Sequence, residues 1–240
     1  MTDILPLVYK ELRYYADSAI AWILGVLFLA VSSVVFFSGQ HFIARDEASL
    51  RAYFSFFPFL MMLVLPALTM RSWAEEQRQG TLELLLSLPL PEWKLVFGKF
   101  LSPMLLFLIL LIITMFVPLT VLPFGNFDIG IIVTEYLGLF FLASTTIAIG
   151  LWISSLTMNQ VSAYLLSVSL LLALTIVNQV ATLSAMPVWL ADTINYLSFS
   201  WHVESFIKGL IDSRDIAYFL GLTLLFLFLN ERHLTLRKWS

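Results

Sequence analysis

The side chains able to do chemistry in this chain gather between Arg71 and Lys99, in the stretch RSWAEEQRQGTLELLLSLPLPEWKLVFGK. Eight of the chain's charged residues fall here, four of each sign: Arg71, Glu75, Glu76, Arg78, Glu83, Glu92, Lys94 and Lys99. Long apolar runs flank the stretch on both sides, and insertion into a membrane does not by itself require such a segment. Mixed charge beside leucines suits contact with another protein from the aqueous side. Catalytic alternatives fail on residue type. A phosphate-binding P-loop needs G-x-x-x-x-G-K-[ST], whose backbone amides cradle phosphate and whose hydroxyl holds magnesium. Gly98-Lys99 is followed by Phe100 and preceded five residues earlier by Trp93, so it is not one. ATP hydrolysis is therefore expected from another chain. His41, His202 and His233 are isolated in sequence with no metal-ligand spacing. With no cysteine in the chain, disulfides, thiolate metal sites and cysteine nucleophiles are excluded. Serines within the apolar runs have no His or Asp near in sequence to activate them.

The elements that position these residues are membrane spans. Sixty per cent of the chain is hydrophobic and only 12% is charged, with a mean hydropathy of +0.92, where soluble domains carry about 25% charge. A span needs roughly 20 apolar residues, and six candidates satisfy this approximately: 19–39, 54–70, 101–123, 134–155, 161–182 and 215–230. The charge-free run from Tyr136 to Ala191 must hold two helices, with a turn at Thr157-Met158-Asn159-Gln160. The only acids touching the spans, Glu135 and Asp215, lie near their ends. The first apolar run lacks a small-residue cleavage site and reads as a retained span.

Six spans put both termini on one side. Nine basic residues (Lys10, Arg13, Arg71, Arg78, Lys94, Lys99, Arg232, Arg237, Lys238) share that side, and four (Arg45, Arg51, Lys208, Arg214) lie on the other. This asymmetry predicts cytoplasmic termini and a cytoplasmic 71–99 segment, with 40–53, 124–133 and 183–214 outside. Ile4, Val8, Leu12 and Tyr15 recur at helical spacing, which predicts an interfacial helix over 1–18. Residues 183–214 are rich in aromatics, including Trp189, Tyr196 and Trp201, and are expected to form short helices dipping into the outer leaflet.

Within 71–99, Gly80 breaks the helix that leaves the second span. Thr81 is placed to cap a short new helix with Glu83 in its first turn. Leu82, Leu84, Leu85, Leu86 and Leu88 make that helix strongly apolar, so a partner or the membrane surface should cover part of it. Pro89 ends it, and Pro91 with Glu92 suits the start of the next helix. Helix, break, short helix, break, helix is the outline of a lever tip.

Met70 through Leu85, with Leu88-Pro89 and Val96-Phe97-Gly98-Lys99-Phe100, resembles the signature of ABC-2 type permeases, and most of all that of the gliding-motility-type branch. The likeness extends to Lys10-Glu11-Leu12, to Ser154-Ser155-Leu156-Thr157 with Asn159-Gln160, and to Lys208-Gly209-Leu210-Ile211-Asp212. Glu76-Gln77-Arg78 departs from the more usual Glu-Arg-Arg. The resemblance implies an all-α polytopic membrane protein, one transmembrane domain over residues 1–240. It would be the permease subunit of an ABC transporter in a bacterial inner membrane, more often an exporter, and not itself an enzyme. Glu75, Glu76, Arg78, Gly80, Thr81, Leu82, Glu83 and Leu84 would form a coupling helix seated in a separate ATPase subunit. That subunit would use the ATP and magnesium, leaving no cofactor for this chain. A second permease subunit, identical or related and sometimes bearing a large extracytoplasmic domain, would complete the complex within membrane lipids, with no nucleic acid involved. Two other readings share the composition: a non-transporting anchor that passes mechanical signals, and an ion-coupled carrier. The carrier is disfavoured by the absence of charge near span centres. Cargo stays open. Ser144, Thr145, Thr146, Ser154, Ser155, Asn159 and Gln160 offer polar points along the fourth and fifth spans, although most such residues bond a neighbouring helix.

Overall fold

The computed structural model describes residues 4–35, 50–87, 89–124, 128–183 and 187–238. In lipid, an apolar segment can satisfy its backbone polar groups only by pairing them internally, and each long apolar run is accordingly helical. In chain order the helices are α1 (Ile4–Asp17), α2 (Ala19–Val34), α3 (Arg51–Thr69), α4 (Ala74–Arg78), α5 (Thr81–Leu86) and α6 (Glu92–Thr114). They continue as α7 (Phe116–Val121), α8 (Ile129–Leu156), α9 (Gln160–Leu183), α10 (Val188–Leu197), α11 (Phe199–Ile207) and α12 (Ser213–Lys238). Among the described residues there is no strand. The protein is an all-α, polytopic membrane protein.

Five helical stretches are long and apolar enough to cross a membrane: Tyr53–Arg78, Glu92–Val121, Ile129–Leu156, Gln160–Gln179 and Ser213–Lys238. A sixth arises if α1 and α2, which meet at a 73° bend, act as one. The expected first span, 19–39, runs beyond the described residues, as do most of the 40–53 loop with His41 and Arg45, and residues 125–127 of the 124–133 loop. The break between α8 and α9 falls at Thr157–Asn159, where the sequence requires a turn. The second span extends past Met70 through α4, and α12 extends well beyond 215–230 at its C-terminal end.

Helix α8 is the central post, packed by α3, α6, α9, α11 and α12. Leu142, Ala143, Ile147, Ala148, Ile149 and Leu151 are wholly buried along it. Small hydroxyl residues let its neighbours approach closely and bond across the seam. Thr145 donates to the Phe219 carbonyl (3.0 Å), and Ser144 and Thr145 both bond the Thr223 hydroxyl (3.1 and 3.0 Å). Phe28, Phe57 and Phe107 meet edge to face, joining α2 to α3 and α6. On the perimeter, α9 and α12 expose Leu165, Leu166, Leu224 and Phe228, as helices in contact with lipid do. The aromatic-rich 183–214 segment holds the two short helices α10 and α11. Helix α11 buries Phe199, His202, Val203 and Phe206 against the bundle.

Helix α1, the 71–99 segment and the end of α12 lie at one end of the bundle. Lys99 reaches Glu11 of α1 at 3.1 Å, and Lys238 of α12 reaches Glu92 at 2.7 Å.

Candidate functional site

The site begins where α3 stops. Residues Met70–Trp73 form a turn, and the helix resumes as α4 within the same span, which reaches Arg78. Such a restart leaves backbone N–H groups without intrahelical partners. Ser154 of α8 takes up two of them: its hydroxyl accepts from Trp73 N–H (3.1 Å) and Ala74 N–H (3.2 Å), and donates to the Met70 carbonyl (3.0 Å). A serine 80 residues downstream thus serves as the helix cap. Two further links tie α4 to the α8–α9 turn. Gln77 Nε2 donates to the Ser155 carbonyl (2.6 Å), and Gln160 accepts from Arg71 Nε (3.1 Å) while donating to Glu75 Oε2. Each such bond contributes about 1 kcal/mol net, so together they hold a five-residue helix that would not persist alone.

Lys99 is the centre of this end of the molecule. Only 3% of its side chain is exposed, yet its ammonium contacts Glu76 (2.8 Å), Glu11 (3.1 Å) and the Ser72 carbonyl (2.9 Å). It also lies 4.9 Å from the centre of the Trp73 ring, on whose face a cation is favoured. One cation on α6 therefore joins α1, the α3–α4 turn and α4. The residue before it makes this possible. A Cβ on Gly98 would come within 2.5 Å of Leu7, so glycine is what lets α1 lie directly on α6. Tyr15 adds a parallel link from α1, donating to the Leu68 carbonyl at 3.1 Å.

Gly80 turns the chain from α4 into α5 with φ +70°, a left-handed conformation natural to glycine. Thr81 is the first helical residue and not the cap; its hydroxyl turns back to the Glu76 carbonyl (3.3 Å). The predicted site residues separate into two groups. Glu75 and Glu76 face the protein's own network, and Leu82 and Leu86 are buried against the bundle. Arg78, Gly80, Thr81, Glu83 and Leu84 are exposed, and Leu84, at 69%, is the apolar point of the tip. The described leucines of the run are therefore divided, Leu82 and Leu86 inward, Leu85 half-buried and Leu84 outward, because a helix of six residues cannot turn all its leucines to one side. Leu88 lies outside the described residues.

At the opposite end lies a pair that sequence spacing does not show. His202 Nδ1 is 2.6 Å from Asp215 Oδ1, Nε2 is 2.9 Å from the Tyr196 carbonyl, and the ring stacks on Tyr218 at 3.8 Å. Both ring nitrogens face acceptors, so no nitrogen is free to activate a serine. The pair joins α11 to α12. The turn at 208–212 brings these residues together, and nothing short of that fold would have paired them. Lys99 did leave a trace in the sequence: a lone cation within VFGKFLSP is costly in apolar surroundings and demands partners.

The described residues thus form an all-helical bundle with a short two-helix tip at one end, turned at Gly80 and tied in through Gly98-Lys99. The chain belongs to the ABC-2 family of transporter proteins, whose family model matches residues 5–230. It is accordingly an ABC transporter permease. No curated relative matches the chain significantly.

Proposed function

We propose that the exposed tip formed by Arg78, Thr81, Glu83 and Leu84 docks on a separate ATPase subunit, and that the lever behind it passes ATP-driven displacement into the spans. The observation that carries this reading is the contrast within one short segment. Its outer residues are exposed, with Thr81 bonded only back to its own segment, while its inner residues are fixed to α1, α6, α8 and α9 through Lys99, Ser154 and Gln160. A displacement at the tip then moves α4 and its attached helices together. The basic asymmetry supports a cytoplasmic location for this end. The working unit would hold two permease subunits, this chain with a copy or a relative, and two ATPases. Within the family, the Glu-Gln-Arg-Gln-Gly-Thr-Leu-Glu block supports the gliding-motility-type branch.

Co-purification of the ATPase with membrane-inserted variants tests the docking. Glu83→Arg places a positive charge where the partner is expected to present one, and like charges brought together at an interface cost up to several kcal/mol. The expected result is loss of the ATPase from the complex with normal insertion and expression. Wild-type complex formation and transport in Glu83→Arg would reduce the segment to a plain loop. A lever without a cargo path is the second reading. It is supported by Ser144, Thr145 and Ser154, which are spent on bonds between helices.

A further inference from the structure

Beside the lever is a cavity of about 610 Å³ between α1, α5 and the start of α9, and its walls carry three acids and three bases. The acids are engaged within the chain. Glu11 and Glu76 each hold Lys99 through Oε1, the other oxygen of Glu76 being buried without a hydrogen-bond partner, and Glu75 accepts from Gln79 (2.6 Å) and from Gln160. The bases are not all engaged. Arg71 uses Nε alone, toward Gln160, and its two terminal nitrogens have no acceptor among the described residues. Lys10, exposed on α1, likewise has none. The groups left to meet a ligand are thus cationic donors.

Arg71 and Tyr14 also line a second hollow of about 340 Å³ at the elbow between α1 and α2, together with Asp17, Ser18 and Ile20. Asp17 is occupied by Arg13 at 3.9 Å. Trp22 fixes the elbow by donating to the Ala16 carbonyl (2.8 Å), while its ring stays exposed as interfacial tryptophans do. From there Ile23, Val26 and Leu27 continue an exposed apolar face along α2. A guanidinium above a polar hollow, with an apolar track leading away from it, matches a phosphate joined to acyl chains.

We infer that the face of α1 from Lys10 to the α1–α2 elbow holds an anionic phospholipid as a resident ligand, its phosphodiester between Lys10 of the larger cavity and Arg71, which lines both hollows, and its chains along α2. A lipid so placed would bind α1 to the bilayer beside the Lys99 network. Thr81 and Leu84 of the docking tip also border the larger cavity, but the phosphate contacts are assigned to Lys10 and Arg71, which lie off the tip, so the two readings fail separately. Native mass spectrometry of the purified full chain, titrated with phosphatidylglycerol, measures it. Arg71→Gln and Lys10→Gln are each expected to weaken retention about tenfold, and Arg214→Gln, exposed at the opposite end of the bundle where α12 begins, to leave it unchanged. Diacylglycerol, which lacks the phosphate, and glycerol 3-phosphate, which lacks the chains, are each expected to bind about tenfold less tightly than the lipid. Lys10 is exposed and unbonded, so its variant decides the matter should Arg71→Gln fail to fold. Wild-type retention by Lys10→Gln overturns the proposal. So does glycerol 3-phosphate bound as tightly as the lipid, which would mark a soluble-anion site. Loss of ATPase binding with lipid retention unchanged in both variants also overturns it, by giving the cavity to the docking partner.

Discussion

Lys99 shows how one residue can hold three elements. A buried ion pair is a weak source of net stability, because desolvation offsets much of the attraction, but removing one partner leaves the others charged and uncompensated. Lys99→Met strands Glu11 and Glu76 in a buried site, and a loss of about 3–5 kcal/mol is expected. A fall in the thermal unfolding midpoint of the detergent-solubilised protein would record it. If uncompensated charge is the cause, adding Glu11→Gln and Glu76→Gln to Lys99→Met recovers part of the loss. A triple variant less stable than the single one would contradict this account. Ser154 acts at the same scale through hydrogen bonds. Ser154→Ala removes the acceptor for Trp73 and Ala74 N–H at a cost of about 1–2 kcal/mol, typical of a lost helix cap. Hydrogen exchange at those two amides should quicken, with little change in α8 itself.

At the scale of elements, the lever depends on the turn between α4 and α5. Gly80 has φ +70°, and a side chain there would meet no atom within 4 Å. The penalty for another residue is therefore conformational and not steric. Gly80→Ala should cost about 1–2 kcal/mol of local stability while the turn survives. Proline, locked near −65°, cannot adopt the turn at all. Gly80→Pro is expected to redirect α5 and abolish stimulation of the ATPase while membrane insertion persists, which ATPase assays on the reconstituted complex can measure. Stimulation equal to wild type in Gly80→Pro would show that the angle between α4 and α5 carries no signal. The short helices on the far side follow a different logic. Helix α11 is held by burial of Phe199, Val203 and Phe206 and by the His202–Asp215 bond, while α10 packs on α9 and accepts from the Tyr218 hydroxyl at the Leu197 carbonyl.

At the scale of the whole molecule, the proposed orientation places α1, the lever and the end of α12 in the cytoplasm, with the 208–212 turn outside. A cysteine introduced at Ser213 is the only thiol in the chain, and a membrane-impermeant reagent should label it from the extracytoplasmic side alone. Labelling only from the cytoplasm would reject the topology. The purified chain is expected to hydrolyse no ATP above background, and activity from this polypeptide would overturn the division of labour with a separate ATPase.

The span pattern, the forced turn at 157–160 and the helix–break–helix outline of 71–99 could all be read along the chain, because bilayer thickness and backbone hydrogen bonding impose local rules on local sequence. The Gly80 break was legible for the same reason: a glycine between two helical runs has few other uses. Contacts across distance obeyed no such rule. That Glu75 and Glu76 point inward while Glu83 and Leu84 point outward depends on α8 and α9 presenting Ser154, Ser155 and Gln160 to α4, some 80 residues away in sequence. Gly98-Lys99 could be recognised as a motif, but its meaning came from the close crossing of α1 over α6, which leaves one cation surrounded by acids from two other elements. His202 and Asp215 were unremarkable until a turn stacked α11 on α12. Hydropathy acts residue by residue and so can be read from order alone, whereas a buried charge is tolerable only with partners, and only the folded chain decides who they are.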